Sequence, residues 1–312
     1  DTGKKDTRGG FGAGLHEAGK NNPNIVALSA DLTGSLKMDK FIEENPDKFI
    51  QCGIAEANMV GVAAGLAITG KIPFIGSFAE FVTGRVYDQI RQEVAYGNTN
   101  VKIAASHSGL TVGEDGATHQ CNEDFAIMRS IPGMVVICPS DDVEACAAVR
   151  AAAEYDGPVY LRLGRLAVPV FNDPETYKFE MGKGVVMKEG TDVSIFATGL
   201  EVNEALGAAK LLEADGINAE VINIHTIKPI DKELVAASAK KTGKVVTVEE
   251  HSIIGGLGSA VCEALAETVP TPVLRIGVQD VFGESGPAKA LIAKYGLDAE
   301  SIYKKVKEYL AK

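Results

Sequence analysis

The 312-residue sequence has few cysteines, and their placement argues against a disulfide framework. The chain contains no C-x-x-C pair and no cluster of cysteine with histidine at metal-ligand spacing. This pattern favours a reduced, cytoplasmic compartment and predicts no metal site built by the chain itself. The five cysteines are Cys52, Cys121, Cys138, Cys146 and Cys262.

The sequence also lacks an excess of basic residues and lacks long apolar runs. Its 31 Lys+Arg stand against 42 Asp+Glu, which gives a formal net charge of −11 and disfavours binding to nucleic acid or to an anionic membrane. The longest apolar stretch, residues 59–69, is about half of the roughly 20 residues that span a bilayer. The N-terminus is polar where a signal peptide would be apolar. We therefore expect a soluble protein.

What the sequence does contain is the composition of an ordinary folded protein, with 46% hydrophobic and 23% charged residues. Apolar runs typical of strands alternate with helical stretches, which predicts an α/β fold of two domains, each a mostly parallel sheet flanked by helices. We place one domain at residues 1–170, a linker at 171–184, and a second domain at 185–312.

The predicted elements follow one another along the chain, and we expect the first domain to hold a single parallel sheet of its own. The predicted strands are residues 24–31, 49–52, 72–75, 101–105, 134–138, 159–163, 192–197, 219–224 and 244–249. The predicted helices are residues 11–20, 53–67, 88–96, 142–154, 201–215 and 232–241, with one more opening at residue 255.

Two features near the first strands have both a structural and a functional interpretation. Glu56 lies in the first turn of a helix that the sequence pattern predicts to be buried. A carboxylate there interacts favourably with the helix dipole. The same apolar setting would let its carboxyl group share a proton with a ligand nitrogen. Phe78 and Phe81 are three residues apart, a spacing that fits core packing or a wall for a flat ligand.

Three further segments could hold a ligand. Residues 106–120, rich in Gly, Thr, His and acidic residues, directly follow a predicted strand, where α/β sheets place ligands. Arg162 and Arg165 end another strand and can bind phosphate or carboxylate, or form surface ion pairs. The glycine-rich turn at 255–258 resembles a phosphate-binding turn without the full fingerprint, and close helix packing explains it as well.

Three motifs together resemble a known family: residues 29–31 (SAD), 53–56 (GIAE) and 113–120 (GEDGATHQ). In this order they are similar to the C-terminal half of transketolase, its pyrimidine-binding domain followed by its C-terminal domain. The resemblance covers nearly the whole chain. The 1-deoxyxylulose-5-phosphate synthases carry similar motifs.

The resemblance implies a thiamine diphosphate site. At the position of Glu56 the family has a glutamate that hydrogen-bonds the pyrimidine ring of the cofactor. Phe78 and Phe81 match the aromatic wall of that ring, and Asp31 matches an aspartate near the cofactor at the subunit interface. Gly84 departs from the family, because transketolases often have a further aromatic residue there.

The resemblance also implies roles in substrate binding. His119 matches the histidine that contacts the reacting oxygens of the donor sugar, and Asp115 matches the residue that reads a hydroxyl configuration. The phosphate of the sugar is bound in the family at positions matching Arg8, Ser35, His107 and Arg165, and Arg162 is expected to face the same site. No role is predicted for His16, His225 and His251.

A partner is implied by what the sequence does not contain. The family binds Mg²⁺ and the diphosphate through a Gly-Asp-Gly followed some 25 residues later by asparagine, and this sequence has no such motif. We therefore expect a separate N-terminal transketolase subunit to hold the metal end of the cofactor, in an α₂β₂ assembly.

Four alternatives stay open at this point. The chain could be half of a 1-deoxyxylulose-5-phosphate synthase, or a transketolase subunit specialised for an unusual phosphorylated or sulfonated sugar. The β subunit of a 2-oxoacid dehydrogenase fits the 113–120 motif less well. A non-catalytic regulatory module of the same fold is disfavoured by the joint presence of Glu56, Asp115, His119 and the arginines.

Overall fold

The computed structural model describes residues 3–312. They form two layers, each a β-sheet with its flanking helices, and the two layers pack against each other. Its strands are β1 (Lys4–Lys5), β2 (Ile25–Ser29), β3 (Phe49–Gln51), β4 (Ile72–Phe78), β5 (Lys102–Ser106), β6 (Val135–Ile137), β7 (Val159–Arg162), β8 (Val168–Pro169), β9 (Val185–Lys188), β10 (Val193–Ala197), β11 (Ala219–Asn223), β12 (Thr226–Lys228), β13 (Val245–Ser252) and β14 (Val273–Val278).

Helices connect most of these strands. They are α1 (Thr7–Asn21), α2 (Asp39–Glu44), α3 (Glu56–Ile68), α4 (Ala79–Val82), α5 (Tyr87–Gln89), α6 (Asp124–Arg129), α7 (Asp142–Glu154), α8 (Glu201–Ala214), α9 (Lys232–Thr242), α10 (Leu257–Glu267), α11 (Ala288–Lys294) and α12 (Ala299–Leu310). Short 3₁₀ turns lie at Pro46–Lys48, Gly84–Val86 and Leu110–Asp115, and a π-helical segment spans Ile90–Tyr96. Within residues 3–312, none of the helices combines the length and the apolar character that crossing a membrane requires.

The first sheet has seven strands in the order β12-β6-β7-β5-β4-β2-β3. All pairs are parallel except β12 with β6. The chain leaves β2 for β3 on one side and then returns to place β4 on the other side. This reversal makes a crevice at the carboxyl ends of β2 and β4, which is where open α/β sheets bind ligands.

The second sheet has the order β14-β13-β10-β11-β9, and only β9 runs antiparallel to its neighbour. Its strands β10 and β11 are fully buried, as their apolar sequences require. A single apolar cluster contains Phe125 and Cys138 from the first layer together with Phe196 and Ile224 from the second. The two layers therefore share a core and hold a fixed orientation.

The sequence predicted the α/β class and its mostly parallel sheets correctly, and the sheet boundary shows one error. We expected the first sheet to consist of residues 1–170 alone, whereas its edge strand β12 comes from residues 226–228. This three-residue strand is too short to be recognised from its own pattern. The predicted helix at 88–96 is instead the short α5 followed by the π-helical segment.

Helix α1 brings its first turn close to the crevice. Asp6 caps this helix by accepting a hydrogen bond from the backbone N–H of Gly9 at 2.9 Å. A Cβ atom at Gly10 would come within 2.0 Å of the Asp142 carbonyl oxygen, so only glycine allows α1 to pack this closely on α7. Arg8 is thereby fixed in the first turn of α1.

The segment 171–184 forms neither helix nor strand and is held against α7. The Asp141 carboxylate accepts hydrogen bonds from the backbone N–H groups of Phe171 at 3.1 Å and Asn172 at 2.9 Å. The Tyr177 hydroxyl donates to Glu144. These contacts fix the path of the chain between the two sheets.

Candidate functional site

The candidate site lies at the crevice of the first sheet, where several strands end in polar or aromatic residues. Asp31 follows β2, Phe78 is the last residue of β4, and His107 follows β5. The Gln51 side-chain oxygen accepts hydrogen bonds from the backbone N–H groups of Asp31 at 2.8 Å and Gly53 at 3.1 Å. This bridge ties the carboxyl ends of β2 and β3 together and sets the start of the loop that leads to Glu56.

Four rings form a continuous cluster at the end of β4. The rings of Phe78 and Phe81 are stacked with their centroids 5.8 Å apart, and His107 stacks on Phe78 at 3.9 Å. His119 meets both phenylalanine rings edge-on, at 6.4 Å from Phe78 and 5.2 Å from Phe81. Phe78 and Phe81, for which the sequence allowed plain core packing, are only partly buried and line the crevice.

Glu56 is the first residue of α3 and is 5% exposed. Its Oε1 accepts a hydrogen bond from Arg85 Nη1 at 3.0 Å, and the Arg85 guanidinium lies 4.1 Å from the centroid of Phe81. A carboxylate, an aromatic face and a cation therefore share one small space. Arg85 was not predicted from the sequence as a site residue. It follows Gly84 in a 3₁₀ turn.

Positive charge surrounds His107 on the other side of the ring cluster. Arg8 Nη1 donates to the backbone carbonyl of Ser35 at 3.0 Å, and Arg8 Nη2 donates to the carbonyl of Arg165 at 3.5 Å. Burial lowers the pKa of His107 to about 3, and the charges of Arg8, Arg165 and Lys37 act in the same direction. The imidazole is therefore neutral at physiological pH and carries one N–H donor.

These contacts bring together the four residues proposed for phosphate binding, and they add one that sequence reasoning missed. Lys37 lies two residues after Ser35, is exposed, and has a left-handed backbone with φ of 57°. Gly12 of α1 packs directly against its carbonyl group. We name Arg8, Ser35, Lys37, His107 and Arg165 the cationic cluster. Its closeness to Ser35 in the sequence was the only signal that could have pointed to Lys37.

Asp115 lies in the loop that also carries His119, and Arg165 contacts this loop from outside. Asp115 ends the 3₁₀ turn Leu110–Asp115 and is exposed. Arg165 donates to the backbone carbonyl of Val112 and pairs with Glu114 Oε2 at 3.4 Å. The loop that carries Asp115 and His119 is thus held by the arginine of the cationic cluster.

Two family profiles match this chain. The transketolase pyrimidine binding domain matches residues 3–170, and the transketolase C-terminal domain matches residues 182–302. This chain belongs to the transketolase family. The first sheet lies within the first match except for β12, and the second sheet lies within the second match.

The similar transketolase sequences include separate C-terminal subunits. A transketolase C-terminal section of Methanocaldococcus jannaschii is 50% identical over 310 residues, covering 99% of this chain and 97% of that protein. The 6-deoxy-6-sulfo-D-fructose transketolase subunit of Clostridium sp. is 48% identical over 295 residues, 94% of this chain and 91% of its own length.

Solved structures show the same relationship. A split gene transketolase, described as an inactive β4 tetramer, superposes with a TM-score of 0.91 at 49% identity and 99% coverage of both chains. The transketolase of Campylobacter jejuni superposes with a TM-score of 0.82 at 25% identity, covering 99% of this chain but 47% of the other. This chain therefore spans about half of a single-chain transketolase.

Arg162 does not join the transketolase cationic cluster and is buried between the two sheets. Its Nε donates to Asp124 Oδ2 at 2.7 Å, and its Nη2 donates to the backbone carbonyls of Cys121 at 3.3 Å and Glu250 at 3.0 Å. Its guanidinium also lies 4.4 Å from the centroid of Phe125. Its Nε and Nη2 donors are thus used within the protein and the side chain is 3% exposed, so the structure does not support the prediction that Arg162 faces the substrate.

The three remaining histidines have structural contacts. His16 pairs with Glu44 at 2.9 Å on the surface, and His225 is buried against Phe179 at 4.3 Å. His251 accepts a hydrogen bond from the backbone N–H of Phe125 at 3.2 Å, and burial lowers its pKa to about 4. None of these contacts reaches the ring cluster.

The backbone N–H groups of the glycine-rich turn at 255–258 already bind a side-chain carboxylate. The Glu249 carboxylate accepts hydrogen bonds from the backbone N–H groups of Leu257 at 2.7 Å and Gly258 at 2.8 Å, at the start of α10. A Cβ atom at Gly256 would come within 2.0 Å of Glu249 Oε2. Close packing of a side chain, rather than phosphate binding, explains this turn.

The residues at the crevice fit one half of thiamine diphosphate. Two adjacent phenylalanine rings and a nearly buried carboxylate suit a flat ring that carries nitrogen hydrogen-bonding groups. Arg85 bonds Glu56 through Oε1, and Oε2 makes no hydrogen bond among residues 3–312, which leaves it available to a ligand. The sequence contains no Gly-Asp-Gly and asparagine motif for the diphosphate, so the fit extends to the pyrimidine ring alone.

Proposed function

We propose that this chain is the C-terminal subunit of a split transketolase, which transfers a two-carbon ketol unit between sugar phosphates and acts with an N-terminal subunit. The observation that carries the proposal is the convergence of Glu56, Phe78, Phe81 and His119 at the switch point of the first sheet, directly beside the cationic cluster. Family membership supports the transferase class.

In this proposal each residue of the chain has a chemical task. Phe78 and Phe81 bind the pyrimidine ring of thiamine diphosphate, and the Glu56 carboxyl group hydrogen-bonds a ring nitrogen and exchanges a proton with it. When bound, the cofactor supplies an electron sink for the ketol unit. His119 contacts the sugar oxygens at the open end of the ring cluster, and Asp115 selects a hydroxyl configuration. Asp31 lies at the cofactor side of β2.

The cationic cluster is proposed to bind the anionic end of the sugar. Two guanidinium groups and a neutral imidazole N–H offer several donors, and arginine matches a phosphate with two parallel hydrogen bonds. The Ser35 hydroxyl adds a further donor. This assignment is supported by the charges of Arg8 and Arg165, which lie close enough to His107 to lower its pKa.

A partner subunit is part of the proposal. The chain spans 47% of the single-chain Campylobacter jejuni transketolase, and the similar split gene transketolase was solved as an inactive β4 tetramer. We infer that an N-terminal subunit binds Mg²⁺ and the diphosphate, and that the active form is α₂β₂.

Ketol transfer with and without a candidate N-terminal subunit tests this proposal. Xylulose 5-phosphate is the donor and ribose 5-phosphate the acceptor, with thiamine diphosphate and Mg²⁺ present. Activity is expected only in the mixture. Activity of this chain alone would contradict the proposal that a partner subunit is required. No activity in either sample with several sugar pairs would favour a non-catalytic module.

A specialised sugar is the second candidate, favoured by the 48% identity to the 6-deoxy-6-sulfo-D-fructose transketolase subunit. Phosphate and sulfonate are both tetrahedral anions, and the arginines can bind either. The discriminating measurement is kcat/KM of the mixture for a sulfonated ketose and for a phosphorylated ketose. A higher value for the sulfonated donor would replace the pentose phosphate assignment.

Replacing Arg165 with alanine is expected to raise KM for phosphorylated donors about tenfold, because a hydrogen bond to a charged group contributes about 1.5–3 kcal/mol. The KM for the matching unphosphorylated ketose should change less than twofold. Steady-state kinetics of the assembled enzyme measure both. Arg150→Ala is the control, since Arg150 lies on the exposed face of α7. Equal effects on both donors would show that Arg165 does not contact the phosphate.

A further inference from the structure

Outside the proposed catalytic machinery, the fold brings three metal-ligating side chains together beside the ring cluster. Glu80 lies in α4, and Cys121 and Glu123 lie in the segment before α6. One ligand atom from each lies within 4.8 Å of the other two. Sequence spacing did not reveal this group, because Glu80 is distant from Cys121 along the chain.

Negative charge in this group has no cationic partner among residues 3–312. Neither Glu80 nor Glu123 belongs to an ion pair there, whereas Glu56, Glu114 and Asp124 each do. Glu123 Oε2 accepts one backbone hydrogen bond, from Asn122 N–H at 2.8 Å. Glu80 is half-buried and Glu123 is exposed. Two neighbouring carboxylates and a thiol without a cation of their own favour a bound cation.

An independent observation comes from the Asn122 side chain. It is 8% exposed, and its Oδ1 is buried without a hydrogen-bond partner in the described chain. An unsatisfied buried oxygen costs about 1–3 kcal/mol, so its retention calls for a ligand. Asn122 lines the same cavity of about 380 Å³ as Glu80 and Glu123.

The thiol itself is well placed to become a ligand. Cys121 is 1% exposed, and its Sγ lies 3.6 Å from Thr83 Oγ1. The Thr83 hydroxyl donates to the backbone carbonyl of Ala79, so the thiol is the donor in its contact with Thr83. Cys121 Sγ also lies within 4.8 Å of a carboxylate oxygen of Glu80 and of Glu123.

We propose that Glu80, Cys121 and Glu123, with the Asn122 side-chain oxygen, bind a divalent transition-metal ion of the zinc type. One sulfur and three oxygens supply four ligands, the number that Zn²⁺ takes in tetrahedral sites, whereas Mg²⁺ and Ca²⁺ require oxygen ligands only. On binding, the Cys121 S–H bond breaks, the sulfur–metal bond forms, and the proton passes to solvent.

The position of this site gives it a structural consequence. Glu80 immediately precedes Phe81, and Cys121 follows His119 by two residues. A metal ion bound by Glu80 and Cys121 joins the two segments that carry these rings. Metal binding is therefore expected to stabilise the folded chain and to fix the edge-on contact of His119 with Phe81.

Titration of the metal-stripped chain with Co²⁺ and then Zn²⁺ tests the site without any substrate or partner. The expected result is one Co²⁺ per chain with a thiolate-to-cobalt charge-transfer absorption band, which Zn²⁺ displaces and Mg²⁺ does not. Zn²⁺ should also raise the thermal unfolding midpoint of the chain.

Variants assign the ligands. Cys121→Ser is expected to abolish the charge-transfer band, and Glu80→Gln and Glu123→Gln should each weaken Co²⁺ binding at least tenfold. Cys262→Ser, at a partly buried cysteine of α10, is the matched control and should bind as the native chain does. The glutamine variants keep the test decisive if Cys121→Ser fails to fold. No band in the native chain, or unchanged binding in Glu80→Gln and Glu123→Gln, would overturn the proposal.

Discussion

Replacing Glu56 with glutamine is expected to lower kcat of the assembled enzyme by about 100-fold or more, since positioned proton transfer contributes about 10²–10⁴-fold to rates. Glutamine keeps the size of the side chain, but its amide does not ionise and so cannot exchange a proton with a ring nitrogen. Ketol transfer at saturating substrate and cofactor measures the loss. Because the change is nearly isosteric, the folded structure should tolerate it even though Glu56 is 5% exposed at the start of α3.

The control for this variant is Glu93→Gln, at an exposed glutamate of the π-helical segment. It removes the same charge on the same side of the sheet without touching the ring cluster. Its kcat should stay within twofold of the native value, and the thermal midpoints of both variants should match the native chain. A Glu56→Gln enzyme with near-native kcat would remove Glu56 from proton handling.

Glu56 also illustrates which parts of the site a sequence can reveal. Its motif is local: four consecutive residues end a strand connection and begin the helix α3, so its type and place could be predicted. The same holds for Phe78 at the end of β4 and His107 after β5, because apolar runs mark the strands and parallel strands end at one edge. Local patterns therefore predicted both the fold class and the edge that carries the site.

Arg85 and Lys37 could not be predicted in this way, because their importance arises from packing between distant segments. Arg85 reaches Glu56 only after the turn at Gly84 folds back on α3. Lys37 lies near His107 in a loop against which α1 packs closely through Gly12, and its charge lowers the pKa of His107. Neither contact has a spacing in the sequence that would show it.

Arg162 shows the opposite case, in which a local pattern favoured a function that the packing does not support. An arginine at the end of a parallel strand lies at the ligand-binding edge, and this predicted a substrate contact. The neighbouring layer covers this end of β7, however, and supplies the Glu250 carbonyl as an acceptor. Only the arrangement of the two sheets distinguishes Arg162 from Arg165, which stays exposed three residues later.

Replacing Arg162 with methionine is expected to lower the free energy of unfolding by about 3–5 kcal/mol, the usual cost of removing one partner of a buried ion pair. Arg162 is 3% exposed and Asp124 is fully buried, and the Tyr160 hydroxyl also donates to Asp124 Oδ2 at 2.6 Å. Arg162 holds the pKa of the Asp124 carboxyl below its ordinary value despite complete burial, so the variant leaves a buried charge without its counterion. Urea unfolding followed by circular dichroism measures the change.

Arg150→Met serves as the matched control, because the Arg150 pair with Glu17 at 3.0 Å is 45% exposed on both sides and should contribute no more than about 1 kcal/mol. Adding Asp124→Leu to Arg162→Met removes the stranded charge and should recover part of the lost stability, because apolar replacement of both partners of a buried pair is often neutral. If the double variant were as unstable as the sum of its two single variants, the loss would come from packing and from the Cys121 and Glu250 carbonyls. Recovery instead identifies the buried ion pair of Arg162 with Asp124 as the contact that makes Arg162 structural.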